Sequence, residues 1–227
     1  GVGHLVHMPA HIYLRVGRYH DAVLANAAAV EADRRYASLT RPDPQYVAGY
    51  VVHNQHFLWS AALWSGQSAL ALQAAESIAA AAMASDRIDA GTRQHLVGLP
   101  WLTDVRLERW EAVLARPQPG EGAYLRGLAA FARGTALART GAVAPARSEL
   151  RRLQSAQRPA RAEKLTVKNT NRASAVLALA ESMLRADIAA AQRDLTEAVR
   201  YAQAAVRRER ALEVDEPPLW PLPALQQ

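Results

Sequence analysis

A chain of 227 residues, half of them apolar, is long enough to bury a substantial core, and this excludes a wholly disordered segment. With no cysteine, disulfides, thiolate metal sites and cysteine nucleophiles are excluded, so any metal has to be held by nitrogen or oxygen. The net charge of +6 is gathered between Arg106 and Arg172, where 14 basic residues stand against 5 acidic ones. Because 25 of the 27 basic residues are Arg in an Ala-rich chain, that excess reads as composition, and without aromatic interleaving or a reading motif nucleic acid is not the expected partner.

Abundant Ala with only 6% aromatic residues favours closely packed helices over strands, so the expected class is all-α. No run of about 18 apolar residues and no basic-then-apolar leader occurs, and the expectation is a soluble, cytoplasmic protein with no membrane partner. The chain begins GVGHLVHMPA and ends PPLWPLPALQQ, and both ends read as cut or processed.

In chain order, a first helix is predicted up to Val16, then a turn at Gly17 and a second helix from Tyr19 to Asp33, a repeat spanning about 4–34. Pro9 lies inside the first of these helices and should kink it or start a new turn, leaving the backbone from His4 to Met8 irregular. After RPDPQ, where Asp43 can cap a helix and Pro44 can take its first turn, a second pair spans about 46–83 with its turn at Gly66. An inserted helical segment follows at about 92–115. A third pair spans about 124–156 with its turn at Gly141, and a looser fourth about 173–212. Residues 1–215 thus read as one helical-repeat domain, and 216–227, rich in Pro, as an extended tail. No Gly-rich phosphate loop or nucleophile elbow is present, so no nucleotide or organic cofactor is expected.

The spacing of Tyr13, Gly17, Tyr19 and Ala22 resembles the tetratricopeptide repeat, a 34-residue helix-turn-helix with a turn glycine, an aromatic and an alanine at fixed positions. Pro9 and Ala10 stand where that motif has Leu-Gly. The strings HLVHMPAHIYLRVGRYHDA and YVVHNQHFLWSAALWSG, with RLERWEAVLARPQP, FARGTALARTG and EPPLW, resemble uncharacterised bacterial tetratricopeptide-repeat proteins sharing HMPxHIY and HNxHFL segments. The resemblance implies a solenoid of antiparallel helix pairs. It also implies relatives with a further His-containing segment upstream, which could supply a ligand missing here.

Five of the seven histidines fall in HLVHMPAH and HNQH: His4, His7, His11, His53 and His56. In the repeat register they occupy positions that, as the resemblance implies, line the concave groove, together with Tyr13, Arg15, Asn54 and Ser60. Residues three or four apart share a helix face with Cβ atoms about 5–6 Å apart, so His7 with His11, and His53 with His56, could each chelate Zn, Cu, Fe or Ni. His4 and His11 lie seven residues apart, about 10.5 Å of rise in a regular helix, so either His4 stands outside the shell, or there are two ions, unless the irregularity at Pro9 alters this spacing. Neither helix offers a carboxylate, and Asp21, Glu31 and Asp33 are expected to face solvent. A conventional carboxylate base is therefore not visible, and chemistry would rest on the metal.

Two other readings stand beside a metal-binding scaffold. A groove of His and Arg15 could grip a peptide, a protein or a small-molecule carboxylate without metal, and a metal-dependent hydrolase or oxidase is the third. The isolated His20 and His95 read as surface or loop residues. Phe57, Trp59, Trp64, Trp101 and Trp110 read as packing.

Overall fold

The computed structural model describes residues 3–162 and 164–226. The protein is all-α, about three quarters helical. Among the described residues the only strands are the two-residue β1 (Thr166–Val167) and β2 (Asn171–Arg172), paired antiparallel. No described helix is long and apolar enough to cross a membrane. The chain forms two compact units. One comprises the chain up to Asp89 with Glu216–Leu219, the other Ala90–Asp215 with the chain from Trp220 onward.

In the first unit, α1 (Gly3–His7) stops at Met8 and α2 (Pro9–Arg15) restarts with Pro9 in its first turn, where its missing N–H costs nothing. The long α3 (Tyr19–Leu39) packs against α1, α2 and α5. The Asp43 carboxylate accepts from the Gln45 N–H at 2.7 Å and so caps α4 (Pro44–Tyr46). A π-helical turn at Val47–Val51 then leads into α5 (Val52–Trp64), which packs on α6 (Ser68–Ala84). Ala22, Ala29, Ala61 and Ala71 are fully buried, and their small side chains let these helices approach closely around Phe57 and Ile78.

The second unit contains α7 (Ala90–Arg106), α8 (Trp110–Ala115), α9 (Ala123–Arg139), α10 (Val143–Ala162), α11 (Ala173–Ala191) and α12 (Leu195–Arg210). Its core includes Leu102, Leu128, Phe131, Leu177 and Met183. The terminal segment is irregular in backbone yet buried: Trp220 packs on Phe131 and donates its indole N–H to Met183 Sδ at 3.1 Å. His20 is exposed as expected, but His95 is fully buried. Its Nδ1 lies 3.0 Å from the Tyr124 hydroxyl, and burial pushes that phenol's pKa up. A polar partner inside the core is what allows the imidazole to be interior.

Five helix junctions share one geometry. A residue with positive φ follows the first helix: Gly17, Gly66, Glu108, Gly141 and Arg193, with φ of 76°, 75°, 53°, 83° and 62°. At each, the next residue's N–H reaches back five positions, from Arg18 to Tyr13, Gln67 to Ala62, Arg109 to Asp104, Ala142 to Leu137 and Asp194 to Ala189, at 2.7–3.0 Å. The left-handed residue itself donates to the carbonyl three positions earlier. This pair of bonds satisfies carbonyls that a helix end leaves bare. Three of the five junctions carry the predicted glycines; Glu108 and Arg193 reach the same conformation without one.

Candidate metal centre

The histidines are gathered by α1, α2 and α5. His7 is fully buried and lies at the centre: its Nε2 is 3.0 Å from His11 Nε2 and 3.1 Å from His53 Nε2. His4, one turn earlier on α1, stacks on His7 with ring centres 5.3 Å apart, and its Nδ1 is buried without a hydrogen-bond partner. One ligand atom from each of His4, His7 and His53 can be chosen so that all three lie within 4.8 Å of one another, and this group could hold a metal ion. The three do not come from one helix: the π-helical turn before α5 delivers His53 to the α1 pair.

The orientation of two rings is fixed from behind. His7 Nδ1–H donates to Asn26 Oδ1 at 2.7 Å, and the Asn26 amide is itself held by donation from its Nδ2 to the Ala22 carbonyl at 2.7 Å. His11 Nδ1–H donates to the Glu216 carboxylate at 2.5 Å, and Arg15 grips the other oxygen of that carboxylate. With both Nδ1 atoms protonated, the Nε2 of each neutral ring would carry a lone pair, and the two Nε2 atoms face each other at hydrogen-bonding distance. Two lone pairs so placed repel unless a positive centre lies between them, either a proton shared by the rings or a metal ion. In tetrahedral zinc coordination at about 2.0–2.1 Å, neighbouring nitrogens stand about 3.3–3.4 Å apart, close to the spacing here.

The surroundings set the charge of the site. Burial lowers the His7 pKa; the Asn26 bond opposes this, while His11 and His4 reinforce it. A neutral imidazole at pH 7, the form that binds metal, is the result. Phe57, fully buried, forms an apolar wall, its ring 4.5, 4.4 and 4.8 Å from the rings of His7, His11 and His53. Beneath lies Asp33, a correction to the expectation that it faces solvent: it is 4% exposed and accepts from the Tyr46 hydroxyl and from Asn54 Nδ2, both at 2.8 Å. Burial and the bond to Asp33 push the Tyr46 phenol up to about 12. Asp33 also sits against the start of α1, where a Cβ on Gly3 would meet its Oδ1 at 2.2 Å, so only glycine lets α1 dock this closely. Among the described residues no Arg or Lys pairs with Asp33, and its charge favours a cation at His7.

No carboxylate comes from the helices that carry these histidines. Glu216 supplies one from the far end of the chain; burial would raise its pKa, but the bonds from His11 and Arg15 prevail and hold it below the usual range. Of the other candidates, Arg15 acts through Glu216 and Asn54 through Asp33. Tyr13 lies under the Arg18 guanidinium, 4.8 Å from its ring centre, and Ser60 is buried. His56 stands outside the group of three and stacks on Trp59 at 5.2 Å.

Phe57 carried a faint sequence signal, since it lies one turn after His53 on α5, whereas Asn26 lies on α3, away from the cluster's own helices. Glu216, 205 residues from His11, carried none. No protein-family model, curated protein or solved structure matches the chain.

Proposed function

We propose that this chain is a helical-repeat scaffold of tetratricopeptide type whose first unit binds a transition-metal ion through His4, His7 and His53, with His11 as a fourth imidazole. The repeat assignment is supported by the five equivalent junctions and by the apolar residues five positions after four of them, Ala22, Ala71, Val113 and Ala146, all fully buried. The metal assignment is carried by one observation: His7 and His11 each turn Nδ1 to an oxygen acceptor and bring their Nε2 atoms to 3.0 Å from one another. An all-imidazole donor set with no thiolate suits Zn, Cu, Ni or Fe and offers nothing to the harder Mg or Ca.

Glu216 behind His11 and Asn26 behind His7 are the outer hydrogen-bond acceptors that metal-binding histidines characteristically use to fix their tautomer. The test is elemental analysis of tag-free protein, dialysed against zinc and then against metal-free buffer. About one ion per chain is expected in the wild type and a trace amount in His7→Ala and His53→Ala. A wild-type chain that takes up no ion would leave a shared proton between the rings, and variants that keep the ion would place it elsewhere; either outcome would overturn the proposal.

A further inference from the structure

The second unit contains an open groove of about 700 Å³ lined by residues of that unit alone. Arg126 enters it from α9, Arg151 and Arg152 from α10, and among the described residues no acidic one lines it. Arg152 is held by Glu149 at 3.2 Å, and that carboxylate also takes Arg133. Arg151 donates to the Ser148 hydroxyl at 2.9 Å and makes no ion pair among the described residues; Arg126 makes none either. Elsewhere in the unit, guanidinia beside buried acids are paired, as Arg116 is with Asp104 and Arg139 with Asp187. The groove therefore concentrates positive charge on Arg126 and Arg151 that no described carboxylate pairs. Ala130, Ala156, Pro119 and Pro159 add apolar surface.

We infer that this groove binds an acidic peptide segment, with Asp or Glu carboxylates on Arg126 and Arg151 and the peptide's methylenes on the Ala and Pro surface. Guanidinia contributed by two separate helices suit carboxylates spaced along a chain, each taken by a planar fork of donors. The volume lies in the range of about 300–1,000 Å³ usual for ligand sites. No aromatic side chain lines the groove, so single-stranded nucleic acid would lack the stacking platforms on which it relies.

The inference is tested on the full chain in EDTA, which removes the histidine centre from the measurement. The probe is a fluorescein-labelled (Glu-Ala)5 peptide followed by anisotropy, with (Gln-Ala)5, inorganic phosphate and single-stranded DNA as parallel arms. Saturable binding of the Glu peptide is expected, weakened at least tenfold in R126Q/R151Q and by added salt, and unchanged in R207Q/R210Q, which removes the same charge from α12. Circular dichroism confirms that both variants fold. Equal binding of the Gln peptide, equal loss in the two variants, or groove-dependent binding of phosphate or DNA in preference to the peptide would each overturn the inference.

Discussion

The buried carboxylates of the second unit each meet guanidinia: Asp104 takes Arg109 and Arg116, Glu149 takes Arg133 and Arg152, and Asp187 takes Arg139. In the first unit the buried carboxylate of Asp33 meets a phenol and a carboxamide, and beyond them a set of imidazoles whose nitrogens face one another. The same problem, polar groups inside an Ala-rich helical stack, is resolved by ion pairs in one case, while in the other it leaves a group of histidines that could hold a metal ion. Paired charges of the first kind are structural. Convergent lone pairs backed by fixed acceptors are the arrangement of a binding site.

The comparison is broken most directly by supplying the cation. Zinc at about 100 times its dissociation constant should stabilise the first unit by about 2.7 kcal/mol. Hydrogen exchange of the amides of α5 should slow accordingly, while those of α9 and α11 keep their apo rates. Equal protection of both sets would mean that the ion does not belong to the histidines.

Next in size is Glu216→Gln. An amide still accepts from His11 Nδ1 but no longer carries the charge that holds the ring's tautomer, and a competition titration with a chelator should give about 10- to 100-fold weaker zinc binding. Without metal the variant should lose at most about 1 kcal/mol, because Arg15 is 71% exposed and its ion pair is screened by solvent. A large loss of apo stability would recast Glu216 as a structural strut.

A pH series separates the units further. Burial pushes Asp187 from 3.8 up to about 6, against the pull of Arg139. A carboxyl whose folded pKa is raised favours the fold fully below pH 3.8 and loses that contribution as pH rises to about 6. The second unit should therefore lose on the order of 2 kcal/mol across that window relative to Asp187→Asn, read from urea titrations. In the first unit the sign is opposite: the lowered His7 pKa gives a contribution that is present above 6.5 and lost as pH falls through the folded value.

The helices were legible because their signals are local. Ala-rich runs with apolar residues on one face, Asp43 before Pro44, and glycines at 17, 66 and 141 each act within a turn or two. The histidine cluster was legible in part: spacing along one helix pairs His7 with His11, and the structure adds His53 from α5 and leaves His56 aside. Neither the π-helical turn that re-registers α5 nor the approach of Glu216 leaves a periodic trace, since the first is one extra residue per turn and the second a contact across 205 positions. Asp33 was misplaced for a related reason. Its helix face also carries the buried Ala22, Asn26, Ala29 and Val30, but a carboxylate there reads as solvated until α1 is seen to cover it through Gly3.

The junctions at Glu108 and Arg193 carry no glycine to mark the left-handed residue, and this offers the finest test of how alike the units are. A non-glycine residue in the left-handed region costs about 1 kcal/mol, and a Cβ at Gly17 or Gly141 would meet nothing within 4 Å. Gly17→Ala and Gly141→Ala should therefore each lose about 1 kcal/mol through conformation alone. Conversely, Arg193→Gly should gain roughly 0.5 kcal/mol, less than the full amount because glycine also frees the unfolded chain. Urea titrations of the three variants resolve such differences when fitted together. If Arg193→Gly destabilised instead, the backbone bonds shared by the five junctions would not describe them fully, and the Arg193 side chain would be contributing to its junction in its own right.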